Sequence, residues 1–273
     1  MWFDSHCHLD AEEFSKDLSL VIARAAEQGV AGILVPTVDV KSFDHVIAIV
    51  EQWSSLIPYL CFTLGIHPLY TPAAKEDDLK ILLEYIQKYH QHPRFVGIGE
   101  IGLDYFVADL DPVKQEWFFD EQLKLAKQFD LPVILHVRKS QDQILKRLRK
   151  IGLSGGIAHA FNGSMVQANQ FIALNFKLGF GGTLTYDRSL QIRRLATDLP
   201  LDSYVLETDA PDIPPAWLKD SIDQRRRNEP LEIPRIAETF ATLRDLPLEQ
   251  VSKINLTNLK IALPRLHQLL QDS

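Results

Sequence analysis

Short apolar runs and amphipathic stretches alternate along the chain. Phe3-Asp4-Ser5-His6-Cys7-His8 reads as a first strand. Leu18 to Gln28 has helical spacing, with Leu18, Val21, Ile22 and Ala25 on one face and Gly29 as the stop. Val30 to Pro36 is an apolar run of buried-strand type, and Ser42 to Trp53 is again helical. Three further pairs follow: strand Tyr59–Gly65 with helix Asp77–Tyr89, strand Phe95–Glu100 with helix Val113–Phe129, and strand Pro132–His136 with helix Gln143–Lys150. Gly155–His159, Phe176–Phe180 and Ser203–Asp209 supply the remaining strands. Met165–Ala173 and Leu190–Ala196 are the helices between them, and helical segments run from Ile233 onward.

Apolar strands separated by amphipathic helices imply a parallel sheet covered on its outer side. Eight such units in ~250 residues match an α/β fold of the (β/α)8 TIM-barrel type. The rival is a doubly wound open sheet. The barrel is preferred because residues with metal chemistry recur at the ends of several different strands. An open sheet spreads those ends along a line, whereas a barrel brings them to one mouth. No composition break, linker or low-complexity tract divides the chain, so 1–273 is expected to be a single barrel domain.

Composition narrows the partners. With 29 basic against 36 acidic groups the net charge is −7, so a broadly basic nucleic-acid surface is not indicated. Divalent cations in a site can still attract phosphates. Cys7 and Cys61 are the only cysteines and form no Cys-x-x-Cys, which fits a reducing compartment. Neither a secretory leader nor a membrane-length apolar run is visible, so a cytoplasmic protein with no membrane partner is expected.

The residues that carry chemistry are His6, His8, Glu100, His136, His159 and Asp209. Strand side chains alternate faces, which puts His6 and His8, with Asp4, on one face. Four imidazoles and two carboxylates suit zinc, manganese or magnesium. Six ligands are too many for one catalytic ion that must keep an open position, and are a natural number for two divalent cations per chain. His6, His8 and Asp209 come from neighbouring strands and can hold one, while His136 and His159 can hold the other. Glu100 can bridge them or serve the second. Asp209 can also take a proton from the attacking water. Taken singly, a histidine of this kind is more often a hydrogen-bonded structural residue, and Asp209 can be a helix cap.

Around this set, Asp4 and Glu207 are expected to orient imidazoles or to form a buried polar layer. His67, in Gly65-Ile-His-Pro68, faces the same mouth and can donate to a phosphate, and Arg138 is a phosphate clamp. Arg225-Arg226-Arg227-Asn228 can add to it or simply be solvated. Asn162 and Ser164 can contact substrate or cap a helix. Gly97-Ile-Gly-Glu-Ile-Gly102 matches G-x-G-x-x-G. It is rejected as a dinucleotide fingerprint because Leu103-Asp104-Tyr105 follow instead of a helix and Glu100 repels phosphate. No G-x-S-x-G elbow supports a serine triad.

The stretches Asp4-Ser-His-Cys-His8, Gly65-Ile-His-Pro68, Gly99-Glu-Ile-Gly-Leu-Asp-Tyr105, Leu131-Pro-Val-Ile-Leu-His-Val-Arg138, His159-Ala-Phe-Asn-Gly-Ser164 and Glu207-Thr-Asp-Ala-Pro211 resemble the TatD family of metal-dependent hydrolases, closest to its YjjV-like branch. They occur in family order and cover most of the chain. The resemblance implies a dinuclear site with His6, His8 and Asp209 on one ion, His136 and His159 on the other, and Glu100 bridging. It also implies phosphodiester hydrolysis, typically 3′-to-5′ exonuclease action on single-stranded DNA and in some cases RNA, with no obligate protein partner inferred. His-Val-Arg and Ala-Phe-Asn depart from the more usual His-Ser-Arg and Cys-Phe-Ser without removing a ligand. Two other functions remain open at this level. The same barrel can hydrolyse an amide, ester or lactone, although Glu100 stands where a carbamylated lysine would be expected for cyclic amides. A non-catalytic binding protein on a retired barrel is the third.

Overall fold

The computed structural model describes residues 1–153, 155–218 and 226–270. Among them eight strands, β1 (Trp2–Asp4), β2 (Val30–Pro36), β3 (Tyr59–Leu64), β4 (Phe95–Asp104), β5 (Val133–Arg138), β6 (Gly156–Ala158), β7 (Phe176–Phe180) and β8 (Tyr204–Leu206), pair in parallel and in chain order. Between them run helices α1 (Leu18–Glu27), α2 (Phe43–Trp53), α3 (Glu76–Tyr89), α4 (Pro112–Gln128), α5 (Gln141–Ile151), α6 (Met165–Ala173) and α7 (Leu190–Asp198). Helices α8 (Ile233–Arg244), α9 (Leu248–Ala262) and α10 (Pro264–Leu269) follow the last strand. The seam between β8 and β1 closes beyond the strands themselves. Ser5 N donates to Leu206 O at 3.0 Å, Asp209 N to His6 O at 2.9 Å and His8 N to Ala210 O at 2.8 Å, and Cys7 bridges Ala210. The result is the nearly closed (β/α)8 barrel expected from the pattern.

Alternation along the strands builds two cores. Outward residues such as Ile33, Val35, Leu60, Phe62, Val133 and Leu135 pack under the apolar faces of the surrounding helices. Inward residues near the strands' N-terminal ends form a second cluster: Phe3, Leu34, Cys61, Val96, Ile134, Ile157 and Val205. Leu259, Ala262, Leu263, Leu266 and Leu269 of the last two helices and the turn between them join it, so α9 and α10 plug the bottom of the barrel.

From this inner layer the site can be counted out. His136 lies two residues after Ile134, His159 two after Ile157, and Glu207 and Asp209 two and four after Val205. Glu100 lies four after Val96 and His67 six after Cys61. Along β3, β5, β6 and β8 even offsets keep the inward face. In β4 two register irregularities, between Phe95 and Gly97 and between Ile98 and Ile101, put Ile98 in the outer core and return Glu100 to the inward face. All of these residues reach the opposite, C-terminal mouth. β1 also departs from simple alternation. His6 is three residues after Phe3, and the chain bends at Ser5, which turns both histidines inward. The expectation that Asp4 shares their face is therefore corrected, and Asp4 lies in the β1–β8 seam instead.

A second difference concerns β4, which runs on to Asp104 rather than ending at Glu100. Ile101 and Leu103 are buried in the outer core, so Gly102 and Asp104 continue the face of Glu100. No helix starts at Gly102, which removes the dinucleotide reading on structural grounds.

Candidate metal centre

Five imidazoles and two buried carboxylates, Glu100 and Asp209, gather at the mouth. Glu100 is at its centre, and its two oxygens face different partners. Oε2 lies 3.1 Å from His6 Nε2 and 3.4 Å from His8 Nε2. Asp209 Oδ1 stands 3.6 and 3.7 Å from the same two nitrogens, which are themselves 3.2 Å apart. Oε1 lies 2.8 Å from His159 Nε2, 3.0 Å from His136 Nδ1 and 3.3 Å from His67 Nε2.

These spacings fit metal ligation. Donors held tetrahedrally at 2.0–2.1 Å around a zinc-sized ion stand about 3.3 Å from one another. Two of the converging atoms, His6 Nε2 and His8 Nε2, are only 3.2 Å apart and both also face Glu100, so a single cation satisfies both lone pairs at once where a proton could serve only one. Groups of donors within ligation distance of one another are His6, His8 and Glu100; His6, His159 and Asp209; and His67, Glu100 and His136. Imidazole nitrogen and carboxylate oxygen suit zinc and manganese alike.

Three carboxylates hold the cluster in place. Asp4 accepts from His6 N at 3.2 Å, Thr208 N at 2.9 Å and Thr208 Oγ at 2.5 Å, which ties the two segments carrying His6 and Asp209 together. Burial raises its pKa to about 8. Glu207 accepts from Ala160 N at 2.5 Å and faces His159 Nδ1 at 3.7 Å. Asp104 escaped the sequence reading. Its Oδ2 receives His136 Nε2 at 3.0 Å, and its Oδ1 accepts from Phe106 N at 2.8 Å and Val107 N at 3.2 Å. Gln115 of α4 clamps the Asp104 backbone from both sides, with Oε1 taking Asp104 N at 2.9 Å and Nε2 donating to Asp104 O at 3.2 Å. With its Nε2 proton held by Asp104, His136 presents the Nδ1 lone pair to the cluster. The Ile101–Leu103 alternation was the available signal, because it extends the strand and keeps Asp104 on the inward face.

The electrostatics follow from this crowding. Burial alone would raise the Glu100 pKa, but His159, His67, His6 and His136 outweigh it and hold the carboxyl well below its usual range. Burial opposes charge on His159 and His8, yet Glu100 raises both, His159 well above the ordinary imidazole value and His8 to about 9. Burial pushes His67 down to about 4. Its Nδ1 accepts from Leu69 N at 3.1 Å, which places the single proton on Nε2. His67 therefore presents a neutral N–H donor to the cluster rather than a lone pair. Burial lifts Asp209 to about 6, and its backbone has φ +57°, in the left-handed region.

The remaining residues singled out in the sequence divide. Arg138 is half-exposed at the rim, with its guanidinium 3.9 Å from the Phe106 ring centroid and Nη1 3.8 Å from Asp104 Oδ2. Asn162 is exposed on the loop after β6, where its carbonyl accepts from Gln141 at 3.0 Å. Ser164 caps α6, accepting from Gln167 N at 3.2 Å. Arg227 is committed to Asp17 at 2.8 Å and Glu229 at 2.7 Å, and Arg24 joins the same ionic cluster. Asn228 is buried and donates to Thr208 O and Asp212 O, both at 2.8 Å, which braces the loop that carries Asp209. That loop is thus anchored rather than offered to substrate by Arg227 and Asn228. Arg225 lies outside the described residues.

A (β/α)8 barrel whose mouth gathers histidine and carboxylate donors around one shared glutamate defines the class of metal-dependent hydrolases, and comparison with known proteins narrows it. The TatD related DNase family model matches residues 3–263, and the chain belongs to this family. An uncharacterized metal-dependent hydrolase of Haemophilus influenzae is 40% identical over 94% of this chain and 97% of its own length. The crystal structure of YjjV, a TatD homologue from Escherichia coli, superposes with a TM-score of 0.87 at 36% identity, covering 96% of this chain and 98% of that one. The 3′-5′ ssDNA/RNA exonuclease TatD of Erwinia tasmaniensis is 31% identical over 89% of this chain and 92% of its own. Among the described residues no helix is long and apolar enough to cross a membrane.

Proposed function

We propose that the protein is a two-metal phosphodiesterase that removes nucleotides from the 3′ end of single-stranded DNA. The observation that carries the reading is the division of Glu100: one oxygen faces His6 and His8, the other His136 and His159. In this assignment His6, His8 and Asp209 hold one cation, His136 and His159 hold the other, and Glu100 belongs to both. When bound, such a pair supplies Lewis-acid polarisation of a phosphoryl oxygen and activation of the attacking water. Asp209 takes the proton from that water as it adds to phosphorus, the P–O3′ bond to the preceding nucleotide breaks, and the departing 3′ oxygen leaves as a hydroxyl with a proton from solvent. His67, neutral and protonated on Nε2, donates to a non-bridging phosphoryl oxygen as charge builds there. Arg138 pairs with phosphate at the rim, where guanidinium geometry matches two oxygens at once. The name of the Erwinia relative and of the family supports a nucleic-acid substrate.

The test is hydrolysis of single-stranded DNA labelled at either the 3′ or the 5′ end, by metal-stripped protein with Mg²⁺, Mn²⁺ or Zn²⁺ restored. Asp209→Asn serves as the control. Metal-dependent laddering of the 5′-labelled strand and early loss of a 3′ label, both absent in the variant, are expected. No cleavage by protein shown to carry its cations would move the substrate to a carbonyl compound or a small phosphoester.

A further inference from the structure

Phe106 is unusual for its position. It is 52% exposed, yet it lies two residues after Asp104, the carboxylate that holds His136. Its backbone N–H is bound to that same carboxylate at 2.8 Å, so the ring is anchored to the metal centre rather than carried on a free loop tip. Two cations gather on it: the Arg138 guanidinium at 3.9 Å and Lys139 Nζ at 4.8 Å from the ring centroid. Arg138 lies two residues after His136 on β5, with its side chain 49% exposed. The contacts thus run without a gap from Glu100 through His136 and Asp104 to Arg138 and Phe106. On the adjacent loop Tyr70 is 43% exposed, with its ring 6.1 Å from that of His67. Exposed aromatic rings therefore stand beside the cluster after both β3 and β4.

A cation–π pair at an exposed site contributes only about 0.5–1 kcal/mol, which is little return for leaving a phenylalanine half in water. A layered phenyl–guanidinium surface does match one ligand chemistry closely. An unpaired nucleobase stacks on aromatic and guanidinium planes, and its 5′ or 3′ phosphate is drawn by the same cations. We infer that Phe106 and Arg138 form a stacking platform for the unpaired base next to the scissile phosphate of a single-stranded nucleic acid. This inference rests on the phosphodiesterase reading and deepens it. Both faces of a base inside a duplex are already covered by its neighbours, so the platform favours frayed or single-stranded ends.

The test compares kcat/KM on two oligonucleotides that differ only in an abasic residue next to the scissile phosphate at the 3′ end. Base–aromatic stacking predicts that Phe106→Ala lowers the ratio of intact to abasic substrate about tenfold, mainly through KM. Phe106→Trp should restore the ratio and Phe106→Leu, which keeps apolar bulk without the π face, should not. Independently of turnover, 2-aminopurine at that position should be quenched on binding to metal-stripped wild-type and Phe106→Trp protein, and not on binding to Phe106→Ala. Equal losses on both substrates, or full rescue by leucine, would overturn the platform while leaving the nuclease intact. Failure of the wild-type protein to cleave either oligonucleotide would overturn both readings together.

Discussion

Gly179 on β7 tests how the metal centre is held. A Cβ at this position would stand 2.1 Å from Glu207 Oε2, 2.6 Å from its Cδ and 2.8 Å from its Oε1. Glu207 is 1% exposed, and a Cβ at Gly181 would likewise stand 2.8 Å from its carbonyl oxygen and 3.3 Å from its Cγ, so the residue lies flush against the glycines of this segment and its carboxylate cannot make room for a Cβ without leaving its place. Gly179→Ala therefore forces Glu207 away from Ala160 N and from His159. Overpacking of this kind costs about 1–3 kcal/mol. A stranded buried amide costs a similar amount, the two being alternatives because movement of the carboxylate relieves the first. A loss of about 2 kcal/mol lowers Tm by roughly 4–8 °C in a domain of this size. Loss of the carboxylate behind His159 should weaken metal binding about 10- to 100-fold. Thermal melts of metal-free protein and calorimetric Mn²⁺ titration measure the two effects separately. In a Glu207→Ala background the clash has no partner, so Gly179→Ala should cost little there. Equal cost in both backgrounds, or an unchanged Tm and metal affinity in the single variant, would refute the steric argument.

Three further outcomes are expected. Asp104→Ala should weaken metal binding about 10- to 100-fold by freeing the His136 ring, with Asp104→Asn milder, and metal titration followed by analysis of bound metal checks this. Leu266→Ala, in the plug beneath the barrel, should cost about 2–5 kcal/mol in urea unfolding while leaving the metal affinity of the folded protein within twofold. Burial raises the Cys61 thiol, whose Sγ faces Ile33 O at 3.7 Å, so the folded state keeps the proton after the unfolded chain has lost it. The stability it contributes is complete below the unfolded thiol pKa of about 8.5 and falls by up to about 1.4 kcal/mol per pH unit above it. Urea unfolding from pH 8.5 to 10 should show that slope reduced in Cys61→Ala.

That these histidines and carboxylates converge was legible because strand-end position and residue type coincide in the sequence. His136, His159, Glu207 and Asp209 each lie an even number of residues beyond an apolar, inward strand residue, and periodicity reports that directly. The same logic misplaced Asp4, because the bend at Ser5 shifts the parity of the first strand and nothing in Asp-Ser-His marks a bend. Asp104 was hidden by the glycines around Glu100, which read as the end of a strand when they lie inside one. Arg227 and Asn228 read as a solvated charge run or an added phosphate contact, and are neither: their partners Asp17 and Thr208 are distant in sequence, and only the closed barrel brings them together. The pairing of Phe106 with Arg138 depends on the path of a loop, which hydrophobic patterning does not describe.

In the proposed site Glu100 joins two cations. Electron paramagnetic resonance of Mn²⁺-loaded protein tests it most directly. Two Mn²⁺ per chain are expected, with the spectrum of an exchange-coupled pair, replaced by an isolated-ion spectrum or by loss of binding in Glu100→Ala. A single uncoupled Mn²⁺ at saturation in the wild-type protein, or a coupled pair that survives removal of the Glu100 carboxylate, would contradict it.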